Sequence, residues 1–199
     1  MFYEKNIFNS KESKSGEGST FEQTKIVREI LPKVFYDFGV KTFIDAPCGD
    51  FNWMKMVDLS ALDHYIGIDI VDKIIEVNKS KLANSQKEFL CLDIVNDNLP
   101  AGDLILCRDC LVHLTFEDGL KAIRNFKRSN IKYLLITTFT QRSTNTDLIN
   151  DDVWRVLNMN SSPFNFPKPL MMINEGCTEA DNLFTDKSLG LYLLNDIEI

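Results

Sequence analysis

Short apolar runs alternate with amphipathic segments along most of the chain. The runs predict five buried strands, in KTFIDA, HYIGIDI, KEFLCLDI, DLILCRD and IKYLLITTF. Between them, amphipathic spacing predicts helices at roughly 53–57, 72–83 and 116–129. Strands that alternate with helices predict a parallel sheet covered on both faces, which is an α/β architecture.

The N-terminal part predicts a capping segment followed by a helix. Residues 1–20 are polar and then rich in Gly and Ser, and a capping box of Ser19 with Glu22, or of Thr20 with Gln23, predicts where the helix starts. We expect Pro32 to kink or divide this helix and Gly39 to end it. Its buried face is predicted from apolar residues at helical spacing: Val27, Ile30, Leu31, Val34, Phe35 and Phe38.

The C-terminal part changes character. Residues 141–170 include the turn-rich NSSPFNFPKPL and predict an irregular loop on the acceptor side of the site. PLMMIN and SLGLYLLN then predict two more strands, in a hairpin that closes one edge of the sheet. The length of 199 residues favours a single domain, 1–199.

Composition narrows the class of partner. The net charge is −7, from 22 Lys+Arg against 29 Asp+Glu, and it disfavours a nucleic-acid partner while favouring a small-molecule acceptor. The five cysteines are an odd number, and no apolar run has the length of a signal peptide core or a membrane span. We therefore expect free thiols, a reducing cytoplasmic location and no membrane span.

Three successive predicted strands each end in an aspartate, Asp45, Asp69 and Asp93. Ligands of open α/β sheets bind beyond the carboxyl ends of the strands. Asp69 has the spacing from the first turn at which a carboxylate reaches a ribose. Asp93 can accept from an exocyclic amine, and Ile94 can pack on a purine. The first turn contains only Gly49, whereas a dinucleotide site needs several glycines for its pyrophosphate, so the pattern favours S-adenosylmethionine over NAD.

The chain resembles bacterial class I S-adenosylmethionine-dependent methyltransferases, of the small kind often encoded among surface-polysaccharide genes. The motifs that carry the resemblance are DAPCGDFNWM, YIGIDIV, LDI, LCRDCLVHL, NEGCTE and DKSLGLY. It implies a three-layer Rossmann-like fold, with a seven-stranded sheet of order 3-2-1-4-5-7-6 and an antiparallel last strand. It also implies the ribose role of Asp69 and the adenine role of Asp93. Pro47 and Phe51 replace the outer glycines of the family's D-x-G-x-G-x-G turn, so the shape of the loop backbone stays open.

Several of the predicted cofactor-binding residues have a simpler alternative. Asp45 and Asp69 can instead cap the turn or helix that follows them, and Trp53 can be a core residue. The Gly- and Ser-rich segment can lie over the amino-acid end of the cofactor or be only a flexible entry. The full predicted set is Ser15, Gly16, Gly18, Ser19, Asp45, Pro47, Cys48, Gly49, Trp53, Asp69, Ile70, Asp93, Ile94 and Arg108.

The predicted catalytic residues are His113 and Asp109, in CRDCLVHL after the fourth strand. Imidazole can accept a hydroxyl proton near neutral pH. If a helical turn starts after Arg108, Asp109 and His113 share one face, so Asp109 can orient His113 or bind the acceptor. Otherwise Asp109 is an N-cap and His113 a buried polar residue. We predict no metal site, although a metal-assisted transfer through Asp109 stays open.

The resemblance implies O-methylation of a sugar or nucleotide-sugar for surface (capsular) polysaccharide. The predicted acceptor-binding residues are Arg108, Trp154, Asn165, Phe166 and Glu175. Arg108 can bind an anionic acceptor or, instead, pair with a carboxylate of the protein. Three alternatives stay open: a non-catalytic module that binds S-adenosylmethionine, a nicotinamide-dependent oxidoreductase, and a nucleic-acid methyltransferase, which the net charge opposes.

Overall fold

The structure, a computed structural model, describes residues 12–149 and 152–199. Residues 1–11 of the predicted capping segment, and residues 150 and 151 of the predicted acceptor-side loop, lie outside the described residues. Among the residues described, no helix is long and apolar enough to cross a membrane.

A seven-stranded sheet forms the centre of the fold. In chain order, its strands are β1 Thr42–Asp45, β2 His64–Asp69, β3 Lys87–Cys91, β4 Gly102–Cys107, β5 Ile131–Phe139, β6 Met171–Asn174 and β7 Lys187–Leu193. Their spatial order is β3-β2-β1-β4-β5-β7-β6, and β7 runs antiparallel to both β5 and β6. This confirms the predicted order, the antiparallel last strand and the hairpin at the edge.

The helices are α1 Lys25–Asp37, α2 Asp72–Leu82, α3 Phe116–Arg128 and a single turn, α4 Glu179–Asn182. Short 3-10 turns lie at Glu17–Ser19, Met54–Met56, Leu111–His113 and Leu194–Asp196. Side chains of β4 show how the sheet is covered, because Leu104 and Leu106 join one core cluster while Ile105 and Cys107 join the other. Successive side chains of a strand point to opposite faces, so the two clusters lie on the two faces of the sheet. The fold is therefore the three-layer Rossmann-like methyltransferase fold.

The start of α1 differs from the prediction. α1 begins at Lys25, because Thr20 Oγ1 accepts from the Gln23 amide at 3.4 Å within a turn that precedes the helix. Pro32 lies inside α1 without dividing it. Gly39, with φ of +62°, directly follows the C-cap residue Phe38 and confirms the predicted end of this helix.

Thr115 caps α3, the helix with the amphipathic stripe. Its hydroxyl accepts from the Asp118 amide at 3.2 Å. We expect Thr115→Ala to lower the free energy of unfolding by about 1 kcal/mol, because one amide of the first helical turn loses its partner. Urea denaturation measures this value. Thr144→Ala, at an exposed loop position, is the control, and an equal loss in both variants would contradict the capping role.

Candidate active site

A cavity of about 430 Å³ lies at the carboxyl ends of β1, β2 and β4. Its lining also contains four residues that the sequence had not indicated, Lys14, Asp50, Val71 and Ile74. The predicted residues in its lining are Ser15, Ser19, Asp45, Pro47, Cys48, Gly49, Trp53, Asp69, Ile70, Arg108, Asp109 and His113. The structure therefore brings together most of the predicted cofactor residues and both predicted catalytic residues.

Gly49 and Asp69 join the first two strand ends. Gly49 has φ of +53°, a left-handed backbone that favours glycine, and its amide donates to Asp69 Oδ2 at 3.0 Å. The Val71 amide donates to Asp69 Oδ1 at 2.9 Å. Because Val71 is the N-cap residue of α2, Asp69 supports the start of that helix as well as the turn. The carboxylate is thus held by two backbone amides at the wall of the cavity.

Asp45 is a buried carboxyl at the end of β1. It is 3% exposed, and Tyr65 Oη donates to its Oδ2 at 2.7 Å. Burial raises its pKa to about 7, with Asp69 adding to the rise, while the Tyr65 hydrogen bond and Arg108 act in the opposite direction. A cationic group bound nearby would favour the ionised form of Asp45.

The segment after β4 does not form the predicted helical turn. Asp109 has φ of +51°, and the 3-10 turn begins only at Leu111, with Cys110 as its N-cap. Asp109 is therefore neither the N-cap nor a helical partner of His113. Its carboxylate points to Lys187, whose Nζ donates at 2.7 Å, and to Arg108, whose Nη1 lies 3.3 Å away.

His113 is oriented by a backbone carbonyl from the loop after β5. Its Nδ1 binds the carbonyl oxygen of Val153. Because a carbonyl oxygen can only accept, the ring proton sits on Nδ1, and the neutral ring carries its basic lone pair on Nε2. His113 therefore has the tautomer that a base at the cavity needs.

Arg108 lies in the wall of the cavity and is buried in an ion-pair network. Its Nε and Nη2 donate to Glu175 Oε2 at 3.1 and 2.6 Å. Lys187 Nζ lies 3.4 Å from Glu179 Oε2 and 3.8 Å from Glu175 Oε2. Glu175 thus accepts from Nε and Nη2 of Arg108, and the role of Arg108 as a ligand for an anionic acceptor stays a prediction. Glu175, predicted to bind the acceptor, is 3% exposed and is a partner of Arg108 instead.

The same network fixes the charge of Asp109. Burial raises its pKa, but Lys187 and Arg108 lower it more, and the pKa falls to about 2. Asp109 is thus ionised at neutral pH and too weak a base to accept a hydroxyl proton. It can accept hydrogen bonds from a bound molecule.

Four predicted cofactor residues, Gly16, Gly18, Asp93 and Ile94, and four predicted acceptor residues, Trp154, Asn165, Phe166 and Glu175, lie outside the cavity lining of the described chain. Asp93 accepts from the Val95 amide at 2.8 Å and from Asn96 Nδ2 at 2.7 Å, in a turn after β3. Ile94 is 8% exposed and packs in a core cluster. β3 ends at Cys91, two residues before Asp93. Asp93 therefore stabilises a local turn, and Ile94 packs in the core.

Phe166 is a core residue. It is 4% exposed, and its ring lies 5.1 Å from the ring of Tyr192. Asn165 is exposed, with φ of +49°, in the turn before it. Trp154 is 38% exposed, with its ring 5.1 Å from that of Phe184, and it directly follows the residue that binds His113.

The two glycines predicted over the cofactor also lie outside the lining, but next to it. A Cβ on Gly18 would lie 3.1 Å from Asp109 Oδ2, and Gly16 is buried with φ of +101°. Sequence reasoning missed Asp50 and did not select Lys187. The available signals were the position of Asp50 directly after Gly49 and the inclusion of Lys187 in the motif DKSLGLY, which assigned this residue no role. Within residues 12–149 and 152–199, no group of three metal-ligating side chains occurs.

Comparison with known proteins bears on the fold. No protein-family model matches the chain, and no curated protein matches it by sequence. An S-adenosylmethionine-dependent methyltransferase from Leishmania major shares 15% identity over 96% of this chain and 82% of its own, with a TM-score of 0.67. The methyltransferase domain of bacterial CtHen1 shares 12% identity over 86% of this chain and 99% of its own, with a TM-score of 0.62.

The N-methyltransferase NodS from Bradyrhizobium japonicum shares 14% identity over 89% of this chain and 97% of its own, with a TM-score of 0.61. A second structure of NodS, bound to S-adenosyl-L-homocysteine, has a TM-score of 0.53 over 69% of this chain and 72% of its own. At these identities the similarity concerns the fold. The chain therefore has the fold of the class I S-adenosylmethionine-dependent methyltransferases.

Proposed function

We propose that the protein is an S-adenosylmethionine-dependent methyltransferase that methylates a hydroxyl group of a small polar acceptor. One observation carries this proposal: a single cavity contains both the Gly49–Asp69 pair at the cofactor end and His113 with Asp109 at the other. The carboxylates of Asp45, Asp69 and Asp109 around the cavity suit a ligand with a sulfonium and an ammonium group. The single-glycine turn lacks the cradle of several amides that a pyrophosphate requires.

In this proposal each residue has one task. S-adenosylmethionine supplies a methyl group that its sulfonium already activates. His113 Nε2 accepts the proton of the acceptor hydroxyl as the oxygen–methyl bond forms and the sulfur–methyl bond breaks. Asp109, ionised and held by Lys187, accepts a hydrogen bond from the acceptor and orients it for in-line attack. Asp69 accepts from the ribose hydroxyls, and Asp45 faces the cationic groups.

The resemblance of the sequence supports a sugar or nucleotide-sugar acceptor in surface (capsular) polysaccharide synthesis. Because Arg108 is paired with Glu175 and Asp109, any phosphate of such an acceptor would have to bind away from Asp109. We place the reaction in the cytoplasm, and the five free cysteines support a reducing compartment. Trp154 directly follows Val153, the residue whose carbonyl binds His113, and it is an acceptor contact in this proposal.

Calorimetric titration with S-adenosylmethionine, S-adenosylhomocysteine and NAD tests the cofactor assignment. We expect saturable binding of the first two and none of NAD. Tight binding of NAD alone would favour the oxidoreductase alternative. Binding of S-adenosylhomocysteine without methyl transfer to any of a broad panel of sugars and nucleotide-sugars would favour a non-catalytic module.

Asp69→Ala should weaken the binding of S-adenosylhomocysteine by about tenfold to a hundredfold, because hydrogen bonds to a charged group contribute about 1.5–3 kcal/mol. Calorimetry measures the Kd of wild type and variant. Asp72→Ala, at an exposed carboxylate three residues further along the chain, is the matched control and should retain the wild-type Kd. Equal Kd values for Asp69→Ala and wild type would contradict the ribose assignment.

A further inference from the structure

We propose that Ser13 and Asp50 form a latch that holds the N-terminal segment, residues 12–19, over the cofactor end of the cavity, so that Ser13 is a positioning residue for the cofactor and Asp50, which lines the cavity, is its partner. This inference rests on the proposed function, since it concerns the ligand of that cavity. The Ser13 hydroxyl donates to the Asp50 carboxylate, 3.0 and 3.1 Å from its two oxygens. The Lys14 amide donates to Asp50 Oδ2 at 2.8 Å. Hydrogen bonds to an ionised carboxylate are among the stronger ones in proteins.

The hydroxyl of Ser13 also accepts, because the Ser15 amide donates to it at 3.1 Å. It therefore fixes the local turn of the segment and ties that turn to Asp50 at once. The contact is reciprocal, since the Asp50 amide donates to Ser15 Oγ at 3.3 Å. Ser15 Oγ also occupies the space in which a Cβ on Gly49 would lie, so the segment packs directly on the glycine turn.

The segment reaches from the cofactor end of the cavity to the catalytic end. Asn52 Nδ2 donates to Glu12 Oε1 at 2.8 Å and to the Ser19 carbonyl at 3.2 Å, which fastens both ends of the segment to the loop after β1. Between these points, a Cβ on Gly18 would lie 3.1 Å from Asp109 Oδ2 and 3.5 Å from Lys187 Nζ. The segment contributes Lys14, Ser15 and Ser19 to the lining of the cavity, and in this proposal it moves when the ligand is released.

Ser13 allows the position of the segment to be tested apart from any direct contact with the cofactor. It is 1% exposed and is not in the lining of the cavity, whereas Ser15 and Asp50 are. A change at Ser13 can therefore act on a bound cofactor only through the placement of the segment. By linkage, a ligand that requires the closed segment must also stabilise the closed segment.

Ser13→Ala tests the latch by stopped-flow or surface-based kinetics with S-adenosylhomocysteine as the probe. We expect the dissociation rate to rise about tenfold and the association rate to change less than twofold, because the latch acts after the ligand has entered. In the wild type, S-adenosylhomocysteine should slow amide hydrogen exchange in residues 13–20, and Ser13→Ala should reduce this protection. Ser85→Ala, at an exposed serine far along the chain, is the matched control.

Asp50→Asn provides a second variant, since it keeps one oxygen that accepts from the segment, and its dissociation rate should lie between those of wild type and Ser13→Ala. A dissociation rate of Ser13→Ala within twofold of wild type, with unchanged exchange protection, would overturn the latch and leave the proposed function standing. No binding of S-adenosylhomocysteine to the wild type would overturn the proposed function, and the latch with it.

Discussion

His113→Ala should lower kcat for methyl transfer by about 10²- to 10⁴-fold, the usual contribution of a positioned general base. The Kd for S-adenosylhomocysteine should stay at the wild-type value, because the hydrogen-bonded pair of Gly49 and Asp69, which we propose to hold the cofactor, remains intact. A fall in kcat without a loss of binding identifies an interaction that is made only in the transition state. The measurement combines steady-state methyl transfer to the best acceptor of the panel with calorimetry.

His64 provides a matched control, since it is the other histidine of the chain and lies exposed at the start of β2. His64→Ala should keep the wild-type kcat. Full activity of His113→Ala would exclude the base assignment and turn attention to a water-mediated or proximity mechanism.

The fold was predictable because its signals are local. A strand such as KEFLCLDI and a helix such as 116–129 each carry their periodicity within one short window. The order of the strands and the antiparallel β7 followed from the resemblance, and the structure confirms them. The start of α1 was less predictable, because two overlapping capping boxes precede it and the turn at Thr20 closes without starting the helix.

The site was predictable where it follows from strand ends. Asp45, Gly49 and Asp69 meet at the cavity because parallel strands β1 and β2 end at the same edge of the sheet. The charges behind the cavity were not predictable in this way. Glu175 and Lys187 reach Arg108 and Asp109 across 67 and 78 residues of sequence, and neither sequence spacing nor periodicity encodes such contacts.

Backbone conformation explains the remaining difference at the catalytic end. The four-residue spacing of Asp109 and His113 predicted a helical pair, but the left-handed backbone at Asp109 turns its carboxylate to Lys187 instead. The partner that orients His113 is the carbonyl of Val153, 40 residues further along the chain. A carbonyl has no residue-specific signal, so no sequence pattern could have identified it.

We expect Asp45→Asn to be more stable than the wild type at pH 8 and about as stable as the wild type at pH 4. The folded pKa of about 7 lies above the ordinary value of 3.8, so the folded state retains the Asp45 proton that the unfolded state has released. The contribution of Asp45 to the free energy of unfolding of the wild type is thus greatest below pH 3.8, and it is lost as the pH rises to about 7. The shift of the Asp45 pKa corresponds to a loss of at most about 4 kcal/mol in the free energy of unfolding of the wild type between low and high pH.

Asparagine is a close test of this effect, since its side-chain oxygen can still accept from Tyr65 Oη while its charge is zero at every pH. Urea denaturation of wild type and variant at pH 4 and pH 8 measures the difference, and Asp63→Asn, at an exposed carboxyl on the loop before β2, is the control. If the free energies of unfolding of Asp45→Asn and wild type differed by the same amount at pH 4 and at pH 8, the explanation by a buried carboxyl at Asp45 would be contradicted.

The same variant should bind S-adenosylmethionine more weakly, and should lose more affinity for it than for S-adenosylhomocysteine. Both ligands carry an ammonium group, but only the first adds the sulfonium charge, and the neutral amide of the variant attracts neither cation as a carboxylate does. In the wild type, the affinity for S-adenosylmethionine should rise with pH through about 7, because the bound cation favours the ionised carboxyl. A carboxyl that lowers the stability of the free protein and strengthens the binding of a cation is better explained by ligand recognition than by folding, because selection for stability alone would favour an uncharged residue at this buried position.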